Sequence, residues 1–229
     1  MVIKKTSRMS LVEQVAEQIE SLIEEGHWAV GEKIPPEMVL MEQFDVSRNT
    51  LREAIRALVH AGLLETKQGS GTIVRAENTL GVALERHAKK AAMIETLDVR
   101  FALEKQAAKL AAERFEEVDF TKMHATLEAC QQAAEKEDRV AFIQSDILFH
   151  SSIVEASGNQ LLFDMYKPLF DVVYDFVEQM IELEKNLLYD NELHIELVRA
   201  IEAGNVEAAG AIVGKYFNEL RGYVEKVEG

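Results

Sequence analysis

Three side chains of the types that bind transition metals interrupt apolar helical faces in the second half of the sequence. Asp146 and His150 are four residues apart, which places them one turn from each other on the same face of a helix. His194 lies in a later helical stretch and also shares its face with apolar residues. The apolar neighbours on these two faces are Phe142, Phe149, Ile153, Leu187, Leu197 and Ile201.

These three polar groups need partners if they are buried, because an unpaired buried polar group costs about 1–3 kcal/mol. One carboxylate with two imidazoles is a common ligand set for a divalent transition metal, and zinc and nickel are the expected ions. Such a site binds metal less well below about pH 6, because histidine must be neutral to coordinate. The alternative that the spacing leaves open is a hydrogen bond between Asp146 and His150 inside an ordinary core.

The first third of the sequence holds a different kind of chemistry, a pair of arginines on one helical face. Arg48 and Arg52 are four residues apart at the start of a helical stretch, with the short polar residues Asn49 and Thr50 beside them. An arginine can bind guanine through a pair of hydrogen bonds, or it can bind a phosphate. Ser47 precedes the stretch and suits its N-cap. The alternative is a solvated helix whose arginines are incidental.

The elements around this arginine pair follow a familiar order. Apolar spacing predicts three helices, and then two strands joined by a glycine-rich turn. The predicted elements are helices at Leu11–Glu25, 36–44 and Arg48–Ala61, strands at 64–67 and 72–75, and a turn at 68–71. This is the order of a winged helix-turn-helix, whose second helix lies in the major groove of DNA. Lys67 and Gly69 would then bring the hairpin close to the phosphate backbone.

Helical periodicity dominates the sequence from residue 79 onward. The predicted helical stretches are 79–93, 95–114, 119–135, 138–157, 159–184, 187–203 and 205–226. Short connections favour antiparallel neighbours in a bundle, and Pro168 is predicted to kink or divide the fifth stretch. The predicted fold class is therefore mainly α. A winged helix-turn-helix occupies residues 1–76, and an all-α antiparallel bundle occupies residues 77–229.

Charge is distributed unevenly along the 229 residues. The chain has 40 acidic and 25 basic side chains and a net charge of −15, of which only −2 falls in residues 1–76. This balance excludes a protein that coats nucleic acid through bulk charge, but it allows a small basic surface. The single cysteine, Cys130, excludes an internal disulfide and is expected in the core. No apolar run approaches the roughly 20 residues that span a bilayer, so we expect a cytoplasmic protein without a membrane partner.

The stretch GEKIPPEMVLMEQFDVSRNTLREAIRALVHAGLLETKQGSGTIV resembles the DNA-binding domain of the GntR superfamily of bacterial transcription factors. The similarity covers residues 10–75, and VSRNTLREAIRALVHAGLL is its most specific part. In that family the arginines at the positions of Arg48 and Arg52 contact DNA, as does the tip of the hairpin. The DNA-binding residues predicted here are Ser47, Arg48, Asn49, Thr50, Arg52, Lys67 and Gly69. The family often has an arginine where this chain has Met38, so one expected DNA contact is missing.

Three later stretches, DVRFALEKQAAKLAAER, SDILFHSSIVEASGN and ELHIELVRAIEAGNVEAAGAIVGKYF, resemble the all-helical FCD effector domain of the FadR-type branch. Many members of this branch hold a metal with one aspartate and three histidines. The resemblance maps the aspartate and two of the histidines onto Asp146, His150 and His194. The third histidine position is Tyr216, a poor zinc or nickel ligand because the pKa of a phenol is about 10. A water or an effector carboxylate would fill the open metal position, or the metal has been lost.

Two further residues complete the predicted effector pocket. Arg100 matches an arginine of the branch that often faces the effector, where its guanidinium could bind a carboxylate. The alternative for Arg100 is an ordinary helix ion pair with Glu104. Tyr216 is expected to line the pocket through packing or through its hydroxyl, and His87 and His124 are expected at the surface.

Together these features predict a ligand-responsive transcription regulator, with repression as the expected mode of control. A homodimer would bind a roughly palindromic double-stranded operator, and a small organic acid in the helical domain would shift its geometry. The chain is not expected to be an enzyme, because it lacks a nucleophile motif, a phosphate loop and a catalytic carboxylate pair. The alternative is a metal-dependent enzyme with an attached DNA-binding module. A third alternative is an architectural DNA binder without a ligand. This is disfavoured because such a protein would have no use for a large helical bundle with polar groups inside it.

Overall fold

The computed structural model describes residues 9–67, 69, 71–170, 172–175, 178 and 191–228. It divides the chain into two compact units, Met1–Ala83 and Leu84–Gly229, which we call the N-terminal unit and the helical unit. The elements in chain order are α1 (Leu11–Glu24), α2 (Glu37–Phe44), α3 (Arg48–Ala61), β1 (Leu64–Lys67), β2 (Gly71–Val74), α4 (Thr79–Ala88), α5 (Met93–Glu113), α6 (Thr121–Glu135), α7 (Arg139–Ala156), α8 (Gln160–Tyr166), α9 (Glu192–Glu202) and α10 (Val206–Glu228). The division between the units falls inside α4.

Local sequence signals set the helices of the N-terminal unit. Ser10 caps α1 in a reciprocal pair with Glu13, and the hydroxyl of Ser47 accepts a hydrogen bond from the first turn of α3. Gly62 ends α3 with a φ of 86°, a left-handed conformation that glycine adopts without strain. A Cβ at Gly62 would lie 2.7 Å from Val82, so the close packing of α4 also requires glycine. The predicted limits of α3 are confirmed.

A two-stranded antiparallel hairpin, which we call the wing, follows α3. Leu64 pairs with Val74 and Lys67 with Gly71, so β2 runs one residue earlier than the prediction of 72–75. Residues 31–34 hydrogen-bond along the other edge of β2, which gives that strand partners on both sides. The apolar sides of these elements form one core, which includes Val15, Ile19, Leu40, Leu51, Ile55, Leu58, Leu64 and Val74.

The helical unit is a bundle in which α7 is buried against both α5 and α6. One predicted boundary is wrong: α4 ends at Ala88 and α5 begins at Met93, so the break lies at 89–92 and not near 94. Glu95 bonds back to the backbone of Ala92 and stabilises the start of α5 at that point. Repeated alanines and lysines across 88–92 carry no stop signal, which explains the error. The mainly α fold class is confirmed.

Pro168 divides the predicted fifth helix, as expected. Helix α8 ends at Tyr166, a short 3-10 turn at Lys167–Leu169 contains the proline, and residues 172–175 are helical again. Residues 171, 176–177 and 179–190 of the predicted fifth and sixth stretches and their connection, and with them Leu187, lie outside the described residues. Cys130 is fully buried in the core of the bundle, as predicted. Among the helices that the structure describes, none is both long and apolar enough to cross a membrane.

Candidate functional site

Helix α3 presents one apolar and one polar face. Leu51, Ala54, Ile55 and Leu58 are buried in the core of the N-terminal unit. The residues at intermediate helical positions point to solvent, namely Arg48, Asn49, Arg52, Glu53 and Arg56. The predicted arginine pair therefore lies at the exposed start of this helix, where a DNA backbone or a base edge can reach it.

Glu37, the first residue of α2, joins the two arginines. Its carboxylate accepts hydrogen bonds from Nε of Arg52 at 3.0 Å and from Nε of Arg48 at 3.3 Å. The bond from Arg52 holds the pKa of Glu37 below its usual range. The side chains of Arg48 and Arg52 are still 61% and 51% exposed, so their outer nitrogens remain accessible. Sequence reasoning missed this contact, because nothing in the spacing of α2 and α3 reports which side chains meet.

Of the other predicted DNA-binding residues, two are hydrogen-bonded to each other and the rest are exposed. Ser47 and Thr50 bond to each other as the N-cap of α3, with a hydroxyl separation of 2.9 Å, so a structural role accounts for both. Asn49 is exposed on the same end of the helix. Lys67 at the end of β1 and Gly69 in the turn are exposed at the tip of the wing. Met38, where the family often has arginine, is 70% exposed on α2.

Inside the helical unit, polar and charged side chains from several helices meet in an otherwise apolar core. Helix α7 supplies Asp146 and His150, and α9 supplies His194. Helix α5 supplies Arg100 and Glu104, which are four residues apart. All five are buried, with at most 4% of each residue exposed. We call this set, together with Tyr216 of α10, the buried polar cluster.

Both imidazoles of the cluster point a nitrogen at the same carboxylate oxygen. Nε2 of His150 and Nε2 of His194 each lie 3.6 Å from Oδ1 of Asp146. One ligand atom from each of these residues lies within 4.8 Å of the other two, which is close enough for a single metal ion to bind all three. The separation of 3.6 Å is near the roughly 3.3 Å between neighbouring ligand atoms of a tetrahedral zinc ion.

The remaining imidazole nitrogens face other polar groups. Nδ1 of His150 lies 2.7 Å from Oε2 of Glu104, and Nδ1 of His194 lies 3.3 Å from Oδ1 of Asn191. Metal-binding histidines usually have such a partner on the nitrogen that does not coordinate. Glu104 also accepts a hydrogen bond from the hydroxyl of Tyr166 at 2.6 Å and pairs with Nε of Arg100.

The electrostatics of the cluster keep its carboxylates ionised. Burial by itself would raise the pKa of Asp146, but the neighbouring His150 outweighs burial and the pKa is about 2. Burial opposes ionisation of Glu104 in the same way, and Arg100 beside it brings that pKa to about 2. Burial lowers the pKa of His194 to about 4, since the attraction of Asp146 offsets only part of the cost. His194 is therefore neutral at pH 7 and ready to coordinate.

Several buried atoms of the cluster have no partner in hydrogen-bonding geometry among the described residues. They are both Nη atoms of Arg100, Oδ2 of Asp146, both ring nitrogens of His150, Nε2 of His194 and the hydroxyl of Tyr216. Burying such groups without partners is costly. Their convergence fits a site that takes up a cation and an oxygen-rich ligand.

Tyr216 packs its ring against both imidazoles, with ring centroids 5.1 Å from His150 and 5.6 Å from His194. Burial raises the pKa of its phenol well above the usual value, and the negative charge of Asp146 adds to this effect. The hydroxyl therefore stays protonated, which makes Tyr216 a hydrogen-bonding group and a poor metal ligand.

A cavity of about 280 Å³ opens beside Arg100 near the start of α5. Its apolar lining includes Met93, Leu97, Val172 and Val173. The cavity is slightly smaller than most sites for drug-sized molecules, so it suits a small ligand. Arg100 belongs both to this cavity and to the buried polar cluster.

The structure thus brings together Asp146, His150, His194, Arg100 and Tyr216, which the sequence placed on four separate helices. Arg100 pairs with Glu104 as the alternative predicted, and its Nη atoms, unpartnered among the described residues, leave the predicted effector contact open. Sequence reasoning treated Glu104 only as that partner and missed its contact with His150. The one sequence signal that placed Glu104 near the cluster was its position four residues after Arg100, on the same helix face. No pattern in the sequence pointed to Tyr166 or Asn191, so neither was predicted. His87 and His124 are exposed, as expected.

Two family models match this chain, one for each unit. Residues 95–219 match the FCD domain, and residues 11–74 match the family described as bacterial regulatory proteins, gntR family. The putative L-lactate dehydrogenase operon regulatory protein of Escherichia coli K12 is 32% identical over 211 residues, which cover 87% of this chain and 80% of that protein. The Glc operon transcriptional activator of the same strain is 33% identical over 180 residues, which cover 76% and 71%. A solved structure, Streptococcus agalactiae GntR, aligns with a TM-score of 0.61 and 28% identity over 92% of this chain and 98% of that one.

Proposed function

This chain belongs to the GntR family of bacterial regulatory proteins and carries an FCD domain, and from that premise we propose a separate function for each of its two units. The N-terminal unit binds an operator. The helical unit binds a small carboxylate effector beside a divalent transition metal, and this binding changes operator affinity. The family consists of transcription regulators, so the chain is a DNA-binding regulator and the metal-dependent enzyme is set aside.

Arg48 and Arg52 carry the proposed contact with the operator. They share the exposed end of α3, and their outer nitrogens are available for guanine or phosphate. Asn49 is the neighbouring short polar group, Lys67 and Gly69 extend the surface to the wing, and Ser47 and Thr50 act by fixing the start of α3. A homodimer on a roughly palindromic site follows, because a single winged domain reads too few base pairs for specificity in a genome.

Asp146, His150 and His194 are the proposed ligands of the metal, with zinc or nickel expected. The observation that carries the proposal is their convergence: two imidazole nitrogens meet one carboxylate oxygen in a buried space, and both nitrogens lack a hydrogen-bond partner among the residues described there. Three protein ligands leave one position of a tetrahedral ion open. When bound, the ion supplies a positive charge that attracts an oxygen of the effector.

The charges of the cluster favour a monocarboxylate as the effector. Metal coordination requires both imidazoles to be neutral, and Asp146 and Glu104 then outweigh Arg100 by one negative charge. A divalent cation reverses this to one positive charge, which a single carboxylate neutralises. Both Nη atoms of Arg100 can bind a carboxylate oxygen, and the hydroxyl of Tyr216 is a further donor. The cavity beside Arg100 has room for a short apolar substituent.

Elemental analysis and operator binding test the proposal together. Protein purified without chelator should contain zinc or nickel, whereas less than about 0.1 metal per chain that added zinc, nickel or manganese does not restore would contradict the metal site. An operator selected from random DNA should then be released by one of a panel of small carboxylates in a gel-shift assay. Release is the expected sign of repression. One of the relatives is named an activator, and effector-enhanced binding would point to that mode instead.

Arg100→Lys is the matched variant for the effector. Lysine keeps a positive charge beside Glu104 but loses the fork that binds both carboxylate oxygens. Effector-dependent operator release should need at least about tenfold more effector, while operator affinity without effector stays the same. Unchanged effector sensitivity would exclude Arg100 from the effector site.

A further inference from the structure

We infer that Glu104 is a positioning residue that fixes the tautomer of His150 and thereby keeps Nε2 of that ring available for a metal ion. The inference rests on the proposed metal site, and it adds a residue outside the ligand set. A neutral imidazole carries one proton on one nitrogen, and a metal can bind only the other nitrogen. The group that faces the non-coordinating nitrogen therefore decides whether the site can form.

The two nitrogens of His150 face different carboxylates. Nδ1 lies 2.7 Å from Oε2 of Glu104, and Nε2 lies 3.6 Å from Oδ1 of Asp146. The Nδ1 contact is the closer of the two, although Oε2 lies off the ideal direction of an N–H bond at Nδ1. The shorter contact favours the proton on Nδ1, because an ionised carboxylate can only accept a hydrogen bond.

The other oxygen of Glu104 has two donors of its own. Oε1 accepts a hydrogen bond from the hydroxyl of Tyr166 at 2.6 Å and another from Nε of Arg100. Because arginine can only donate hydrogen bonds, the atom that faces Nε of Arg100 must be an acceptor oxygen. The carboxylate is thereby held in one orientation, with Oε2 directed at His150.

This orientation makes Glu104→Gln an informative change. The amide oxygen would stay with Arg100 and Tyr166, and the amide NH₂ group would take the place of Oε2. An NH₂ group donates, so Nδ1 of His150 would have to accept, and the ring proton would move to Nε2. That tautomer blocks the nitrogen that faces Asp146, although the shape of the side chain has hardly changed.

The experiment compares the full-length wild type with Glu104→Gln and Tyr166→Phe. Zinc affinity is measured by competition with a chromophoric chelator. The tautomer of His150 is read from ¹⁵N chemical shifts of the metal-free protein at a pH high enough for the ring to be neutral, because burial by itself would lower the pKa of His150 but the carboxylate of Glu104 outweighs burial and raises it. Glu104→Gln should bind zinc about 10–100-fold more weakly and should show the proton on Nε2. Tyr166→Phe removes a donor from Oε1 but leaves Oε2, so its zinc affinity and tautomer should match those of the wild type.

Three results would overturn the inference. They are a wild type whose His150 carries the proton on Nε2, a Glu104→Gln variant that binds zinc as the wild type does, and an equal loss of affinity in both variants. The first of these needs no variant, so a Glu104→Gln protein that fails to fold leaves the inference testable. A wild type that binds no zinc, nickel or manganese would contradict the proposed metal site, while the ¹⁵N measurement would still decide the role of Glu104.

Discussion

The two units of this protein handle charged side chains in opposite ways. In the N-terminal unit, Arg48 and Arg52 share Glu37 at the surface, with more than half of each arginine side chain exposed. In the helical unit, the side chains of Arg100 and Glu104 are 0% and 3% exposed. Water screens the first arrangement, so its pairs contribute little to folding. The second arrangement is removed from water, so each charge depends on its partners.

This difference matches the kind of ligand that each unit is proposed to bind. Surface arginines held weakly by one carboxylate can turn to DNA phosphates or bases at little cost. Buried charges cannot reorganise freely, so the proposed ligand must enter the site and pair with them where they lie. The following four predictions test this comparison, from the largest expected effect to the smallest.

Arg100→Met should produce the largest effect on stability. It leaves the carboxylate of Glu104 buried without its cation, which should lower the free energy of unfolding of the helical unit by about 3–5 kcal/mol. Urea denaturation followed by circular dichroism measures this change. Arg48→Met, in an exposed pair, should cost less than about 1 kcal/mol. Equal losses in the two variants would remove the distinction between the units.

Metal binding should stabilise only the helical unit. Zinc at a free concentration of 100 times its dissociation constant should add about 2.7 kcal/mol to the free energy of unfolding. Amide hydrogen exchange can assign this gain to α5, α7, α9 and α10, because α1–α3 should be unaffected. Asp146→Asn should abolish the gain. Protection that rises equally in both units would argue against a site confined to the buried polar cluster.

Arg52→Ala should weaken operator binding without a comparable loss of stability. Losing a base-contacting arginine costs about 1–3 kcal/mol, or roughly 5–150-fold in affinity. A gel-shift titration with the selected operator measures this loss, and binding by the wild type should weaken as salt increases. Lys122→Ala removes an exposed cation from the helical unit and serves as the control. An operator affinity that is unchanged in Arg52→Ala would exclude this residue from the interface.

Glu37→Gln should have the smallest effect, and the effect should depend on pH. The pKa of Glu37 is lowered by the hydrogen bond from Arg52, so the stability it contributes is present above its unfolded value of about 4.5 and is lost as pH falls toward the lower folded value. The wild type should exceed the variant by less than about 1 kcal/mol at pH 7, and this difference should shrink steadily as the pH is lowered below about 4.5. Urea denaturation over this pH range checks this, with Glu42→Gln on the same helix as control. A difference that does not shrink at acid pH would show that the carboxylate charge is not its source.

Much of the fold follows from short-range patterns. Ser47 and Gly62 bound α3 at the predicted residues, because caps act on backbone groups within one turn. The break between α4 and α5 was misplaced, because the side-chain contact that caps α5, between Glu95 and the backbone of Ala92, does not stand out in the sequence. Pro168 ended α8 as expected, since proline lacks the backbone donor that a helix interior needs.

In the candidate site, too, some contacts follow from residue spacing and others only from tertiary packing. Residue spacing alone put Asp146 with His150, and Arg100 with Glu104, because residues four apart share a helix face. Only the tertiary structure decided that Glu104 meets His150, that Tyr166 bonds to Glu104, and that Glu37 joins the two surface arginines. Contacts between helices depend on how whole faces pack, and helical periodicity carries no information about the rotation or the depth at which one helix meets another. The sequence by itself therefore determined which side chains each helix offers, while packing determined which of those charges share a buried space.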